Sequence, residues 1–410
     1  MRLAFVDTQF AWPPPGGAQI DVYHTMKELR AIGHDVHLFV SPDERLWRFG
    51  AINPTKFDLP FTELKLGGRP FDMPRAAEAF RQCITAWKAD VVFLCFGFYL
   101  KPFLARALAG LPVVARYFTY EALCVRDFQM FQHYDTCPYD YLSHPRECCT
   151  CFERSWRHGM LRGESSEFAE EFVHVNGATQ EFYDRYVEYV RNLDGIIVYN
   201  EMTKARLTPY NERVRIITGG VHVEEFGYTP VARKDPGDTK IILMAGRADD
   251  RFKGIDLLIQ AGEVLASERR DFEIWVTSSD QAKKRPWLRL VGWREQAAVR
   301  ELYTQSDICV VPSLWDEPFG LVAVEAMASG RPVVVSEVGG LQHIPIAGET
   351  GFVYPRTDFR AMAGYLRQLL DDYDLRLRMG EAGRHRAEQH FDWKVVVGRE
   401  YPSLLDSVTK

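Results

Sequence analysis

Short apolar runs alternate with helix-spaced stretches in two successive series along this chain, and a polar, turn-rich segment separates the two. The first series has strand-like runs at 3–6, 36–40, 91–95, 113–115, 195–199 and 214–217; the second has them at 241–245, 272–277, 308–311 and 333–335. Such alternation predicts a parallel sheet covered by helices on both faces. In the opening unit, Ile20, Tyr23, Leu29 and Ile32 recur at near-helical spacing, and the Gly33-His34-Asp35 break ends the helix at 18–31 before the second run begins. After Pro230 the stretch ARKDPGDTK reads as a linker. A chain of 410 residues is too long for one ordinary core. The expectation is therefore an α/β protein with two Rossmann-like halves hinged near 225–238, binding its ligands outside the carboxyl ends of the strands, in the cleft between the halves.

Composition removes several classes of function. A net charge of −6 gives no electrostatic footprint for nucleic acid. No G-x-G occurs, so the dinucleotide fingerprint of an NAD enzyme is missing from both halves. Four apolar residues between Arg2 and Asp7 are too few for a secretory leader, and the longest apolar run, 91–100, is about half of what spans a bilayer. A soluble, cytoplasmic protein is expected. Of the 8 cysteines, Cys83, Cys95, Cys124 and Cys309 stand singly in apolar surroundings and read as small core residues.

The segment 311–340, VPSLWDEPFGLVAVEAMASGRPVVVSEVGG, joins Glu317 and Glu325 to a Phe-Gly turn, a small-residue helix at 321–329 and a buried β-run. Glutamates eight apart arise by chance among 56 acidic residues. Here, however, the backbone N–H groups of Phe319, Gly320 and Leu321 would be first-turn donors aimed at an anion above the strand ends. Earlier, Ala245-Gly246-Arg247 ends the first strand of the second half and is followed by Asp249-Asp250-Arg251-Phe252-Lys253-Gly254. Cations at a strand-to-helix turn suit a diphosphate, at roughly 4 kcal/mol per contact before desolvation.

Together these segments resemble retaining glycosyltransferases of family four, as do GGAQIDVYHTMKELRAIGHDVHLFV, VRIITGGVHVEEF and HFDWKVVVGREYPSLL. The resemblance implies a type B glycosyltransferase fold. Residues 1–228 would form the acceptor domain, joined by a closing helix at 395–410, and 229–394 the nucleotide-sugar donor domain. It also implies that Arg247 and Lys253 hold the donor diphosphate, Glu317 sits beside the sugar ring and Glu325 binds the ribose hydroxyls. Phe319, Gly320 and Leu321 would offer N–H groups to sugar or phosphate. Gly292 and Trp293 would hold the nucleobase edge, and Gly16 and Gly17 would let the backbone approach the transferred sugar or acceptor. The expected reaction moves a sugar from a nucleoside-diphosphate sugar to a hydroxyl acceptor (glycan, lipid-linked or small molecule), with no catalytic cofactor. Peripheral membrane contact is compatible with it. The alternatives are a nucleotide-sugar epimerase on the same scaffold and a non-catalytic nucleotide-sugar-binding subunit.

Some positions depart from the family. Its histidine after the fourth strand of the first half is absent from VVARYFTYEALC, leaving Arg116, Tyr120 and Glu121 as acceptor-side polar candidates around Tyr117, Phe118 and Thr119. Thr277-Ser278-Ser279-Asp280 replaces a glycine-rich turn, and His343 an acidic residue. Asp372-Tyr373-Asp374 copies a metal-binding motif of the other major glycosyltransferase fold, but it ends a helical run and reads as a solvated face. Finally, Cys137, Cys148, Cys149 and Cys151 lie within fifteen residues. Cys148-x-x-Cys151 has zinc-ligand spacing, and Cys137 with one of Cys149, His133 or His144 could complete a structural zinc site in a lid-like loop. Free or redox-active thiols and a disulfide are the other readings.

Overall fold

A computed structural model describes the chain except for residues 15, 42–50, 67–71, 128, 133–134, 164–165, 236, 281–282, 293 and 295. The chain divides into two compact units. The first comprises Met1–Gln132, Cys137–Thr218 and Val396–Lys410; the second comprises Gly219–Val395 together with residues 135–136.

The strands, in chain order, are β1 (Arg2–Asp7), β2 (Asp35–Val40), β3 (Phe61–Glu63), β4 (Val91–Leu94), β5 (Val113–Arg116), β6 (Phe131–Gln132), β7 (Asp135–Thr136), β8 (Gly195–Val198), β9 (Val214–Ile216), β10 (Lys240–Met244), β11 (Phe272–Val276), β12 (Leu288–Leu290), β13 (Ile308–Val311), β14 (Val333–Ser336) and β15 (Gly351–Tyr354). The first unit holds a seven-stranded sheet in the order β3-β2-β1-β4-β5-β8-β9; the second holds a six-stranded sheet in the order β12-β11-β10-β13-β14-β15. The pairings about the central strands are parallel. β4, β5, β8, β13 and β14 are buried at every position, which is why their sequences are apolar runs broken only by Arg116 and Ser336 at the carboxyl ends of β5 and β14. β3, β12 and β15 were not foreseen. All three are edge strands; FTE and LRL carry no apolar run, because an edge need not be apolar throughout, and the run in GFVY is only three residues long.

The cysteine-bearing segment differs from the expected loop. An 18-residue helix, Pro145–Arg162, carries three of its cysteines, with Pro145 at the first helical position and Gly163 in the left-handed conformation at its end. Among the described residues no helix is long and apolar enough to cross a membrane.

A buried charge pair ties the elements of the first unit together. Arg116, at the end of β5, donates to Asp21 of the helix Gly17–Ala31 at 2.6 Å and to Tyr401 Oη of the helix Trp393–Val408 at 3.1 Å. Tyr199, just past β8, donates to the same Asp21 carboxylate at 2.8 Å. Both charged side chains are 3% exposed, so removing one leaves the other uncompensated in a poor solvent for ions. Asp21→Ala should therefore cost the first unit about 3–5 kcal/mol, read as a lower urea midpoint for that unit while the transition of the second unit stays in place.

Candidate active site

The second unit assembles its polar groups from three loops at the carboxyl ends of β10, β13 and β14. The loop after β13 is held from behind by the turn after β14. The Gly340 N–H donates to Glu317 O at 2.7 Å and the Gly339 N–H to Asp316 Oδ1 at 3.0 Å. A Cβ on Gly339 would stand 2.3 Å from Glu317 O, and one on Gly340 would stand 2.2 Å from Pro318 O, so only glycines let the backbones meet. Arg356, just beyond β15, also donates to Asp316, at 2.6 Å.

Held this way, Glu317 faces Lys253. Its Oε1 accepts from Lys253 Nζ at 2.5 Å and from Ser313 Oγ at 3.0 Å, and the Lys253 ammonium lies 5.4 Å from the Trp315 ring centre. Lys253 ends a short turn that Asp250 opens by accepting the Phe252 N–H at 3.0 Å. Gly254 follows at φ 79°, and a side chain there would strike Pro312 O at 1.8 Å, so the turn lies flush against the exit of β13. The sequence offered Glu317 and Lys253 as separate candidates; the structure makes them an ion pair. Arg247 is exposed, with no side-chain hydrogen bond or ion pair among the described residues.

The helix Leu321–Ala328 starts at Gly320, which has no side chain to cap it, so the first-turn N–H groups of Gly320 and Leu321 present partial positive charge. Phe319 is buried against Phe391, with ring centres 5.8 Å apart. One turn into the helix, Glu325 accepts from Tyr303 Oη at 2.9 Å. Burial pushes its carboxyl up to about 7, against the opposing pull of Tyr303 and Arg300. Sequence reasoning missed Tyr303, Asp316 and Arg356. Tyr303 and Arg356 are 22 and 40 residues from their partners, and no local pattern marks them.

Near Gly292 the closest side chains are Ser279 and Arg294; a Cβ there would lie 3.7 Å from Ser279 Oγ. Ser278 Oγ donates to Asp249, and Thr277 Oγ1 donates to Gly246 O at 2.5 Å. The hydroxyl-bearing turn that replaces a glycine-rich one is thus bonded to the loop carrying Arg247. Trp293, the other base-edge candidate, lies outside the described residues.

In the first unit Gly16 caps the helix Gly17–Ala31 in extended backbone, with no side-chain cap, and Gly17 is exposed. The three acceptor-side candidates are interior supports. Arg116 is committed to Asp21. Tyr120 is fully buried, and its hydroxyl accepts from Asn200 at 3.4 Å. Glu121 accepts the N–H groups of Phe118 and Thr119 at 3.1 and 2.9 Å and pairs with buried Lys101 at 3.7 Å. A polar residue just after a strand can serve a ligand or tie down the turn, and sequence does not separate the two. Thr119, half-buried at the same turn, donates to Glu121 at 2.8 Å.

Asp372 caps the helix Tyr373–His390 by accepting the Leu375 N–H at 2.8 Å, which accounts for the Asp-x-Asp. Among the described residues no three His, Cys, Asp or Glu side chains are grouped as a metal site, and all eight cysteines are free thiols. Of the residues whose spacing suggested a zinc site, Cys148, Cys149 and Cys151 lie on the helix Pro145–Arg162, and His133 lies outside the described residues. One residue along a helix turns the side chain by about 100°, so Cys149 leaves the face that Cys148 and Cys151 share.

Two family models match, one in each unit: "Glycosyl transferase 4-like domain" over residues 16–146 and "Glycosyl transferases group 1" over residues 230–386. The chain is 33% identical over 240 residues to a D-inositol 3-phosphate glycosyltransferase of Corynebacterium aurimucosum, covering 53% of each protein. It is 31% identical over 189 residues to a phosphatidyl-myo-inositol mannosyltransferase of Mycolicibacterium smegmatis, covering 44% of this chain and 48% of the relative. The chain thus spans about half the length of the curated relatives it matches. Its fold is similar to that of sucrose-phosphate synthase from Thermosynechococcus elongatus (TM-score 0.68, 22% identity, 99% of each chain) and of Anabaena HepE in complex with UDP (TM-score 0.69, 16% identity, 98% of this chain and 99% of the other). Two parallel α/β units, a donor-type loop and helix in the second, and a family match in each make this chain a member of the family four glycosyltransferases of the type B fold.

Proposed function

We propose that this protein transfers a sugar, with retention of anomeric configuration, from a nucleoside-diphosphate sugar to a hydroxyl of its acceptor. One observation carries the reading: the Lys253–Glu317 pair lies in the same constellation as exposed Arg247 and the uncapped helix start at Gly320–Leu321. In that arrangement Arg247, Lys253 and the helix N–H groups take up the negative charge that grows on the diphosphate as the bond to the sugar's anomeric carbon breaks. The acceptor oxygen bonds to the same face of that carbon, and its proton passes to the departing phosphate oxygen. Glu317, tied to Lys253 and Ser313, orients the ammonium and accepts a hydroxyl of the sugar; it is not assigned as a nucleophile. Glu325 takes the ribose hydroxyls. With the countercharge supplied by side chains and backbone, no catalytic metal is assigned.

The Anabaena neighbour is described with UDP, and the named relatives act on inositol phosphate or phosphatidylinositol. UDP-sugars and cyclitol phosphates are therefore the donors and acceptors to test first. A lipid-linked acceptor would bring this enzyme to a membrane surface. The comparisons do not favour an epimerase or a non-catalytic subunit.

Glu317→Ala should lower turnover with little change in nucleotide affinity, whereas Glu325→Ala should weaken nucleotide binding at least tenfold, at about 1.5–3 kcal/mol for each lost charge-assisted hydrogen bond. Wild-type turnover and affinity in both variants would remove the donor-site assignment. Activity should persist in EDTA and collapse in Arg247→Ala; loss in EDTA that magnesium or manganese restores would contradict the mechanism.

Because burial pushes the Glu325 carboxyl up to about 7 and the ionised carboxylate is the stronger acceptor for hydroxyls, affinity for UDP-glucose should rise severalfold as the pH climbs through that value. The diphosphate of this ligand does not itself titrate there. A Glu325→Gln variant should show a flat profile by calorimetry; an equal rise in the variant would assign the titration elsewhere.

A further inference from the structure

Ser313 stands two residues past β13, where the loop carrying Glu317 leaves the sheet. It is fully buried, and so is Ser336 at the carboxyl end of β14. A hydroxyl closed off from water costs free energy unless it is hydrogen-bonded, and both of these are. Ser336 Oγ donates to Ser313 O at 2.6 Å, which fastens the backbone of Ser313 to the neighbouring strand. Ser313 Oγ in turn has three acceptors in reach: Glu317 Oε1 at 3.0 Å, Trp315 O at 3.3 Å and Phe252 O at 3.4 Å. It has one proton to give. Phe252 O already accepts the Leu314 N–H at 2.8 Å. Glu317 is the nearest of the three and is paired with an ammonium. A hydrogen bond to a charged acceptor is the stronger kind, so the proton goes to the carboxylate.

Both bonds to the Glu317 carboxylate therefore fall on one oxygen. Oε1 takes the Lys253 ammonium at 2.5 Å and the Ser313 hydroxyl, while among the described residues no bond is directed to Oε2. A carboxylate held only by the end of a long lysine can swing with it. Held also by a short, buried side chain on its own loop, it cannot turn without breaking a bond. The turn Arg251–Lys253 is itself tied to that loop through Phe252 O and the Leu314 N–H, so cation, carboxylate and hydroxyl keep their spacing. Lys253 gives one ammonium hydrogen to Glu317 and keeps the others for a ligand.

We propose that Ser313 is a positioning residue for sugar transfer: by holding Glu317 Oε1 beside Lys253 it leaves Oε2 to accept a hydroxyl of the donor sugar. The inference rests on the reading of Glu317 and Lys253 as donor-site residues and adds to it the group that fixes their geometry.

A double-mutant cycle on the full chain tests it. Ser313→Ala should lower kcat about tenfold or more, the worth of a hydrogen bond to a charged group, with Kd for UDP changed by less than about twofold. In a Glu317→Ala background the same substitution should change kcat by less than about twofold, because the group it acts through is gone. Ser313→Thr, which keeps the hydroxyl, should recover most of the turnover; if its extra methyl does not fit the buried site, the alanine cycle decides alone. An equal loss from Ser313→Ala in both backgrounds would reduce Ser313 to a support of the loop and overturn the proposal, as would wild-type turnover in Ser313→Ala. Ligand-free crystals of the wild type and of Ser313→Ala supply a readout that needs no substrate: without the hydroxyl the Glu317 carboxylate should turn away from Lys253. A carboxylate that stays in place in Ser313→Ala would overturn the proposal whatever the kinetics. A carboxylate that turns, in a protein whose wild type transfers no sugar, would support the positioning of Glu317 and overturn the transfer reading alone.

Discussion

Backbone meeting backbone at Gly339 and Gly340 is the contact on which the donor-side arrangement rests. With the Glu317 carbonyl and the Asp316 carboxylate held by these two N–H groups, the loop after β13 cannot drift from the sheet. Its side chains are therefore aimed before any ligand arrives. Glu317 is set against Lys253, and Gly320 is set to begin a helix whose other face is sealed by Ala323, Val324, Ala326, Met327 and Ala328. Preorganisation of this kind leaves little rearrangement of the loop for a bound ligand to bring about. A change in the turn after β14 would alter the site without touching anything bound there.

How much of this was legible depends on whether the information was local. Central strands such as β13 and β14 announce themselves because burial on both faces demands apolar residues throughout, and Gly254 and Gly320 mark the turns that end at helix starts. Glu317, Glu325, Arg247 and Lys253 were singled out from that local order and from the resemblance it carries. What escaped was pairing across sequence: Tyr303 with Glu325, and Arg356 with Asp316.

The departures at the end of β5 carry a related lesson. Arg116, Tyr120 and Glu121 stand where a parallel sheet usually presents polar groups to ligands, yet each is spent inside the unit. Glu121 gathers two backbone N–H groups and the Lys101 ammonium, which lies 4.3 Å from the Tyr117 ring centre. The turn that lacks the family's histidine is thus stiffened by an interior salt bridge.

The helix Trp393–Val408 begins among residues of the second unit and finishes among those of the first. Its buried Val396, Val397, Tyr401, Leu404 and Leu405, and the Tyr401 hydroxyl that meets Arg116, complete a core whose other parts lie before residue 219. On the ribosome, where domains ordinarily mature in the order they emerge, this order is reversed. The amino-terminal unit must wait, with one wall of its interior open, while the whole of the second unit is translated. A ribosome stalled anywhere in the second unit leaves behind a chain whose earlier half is the less finished one.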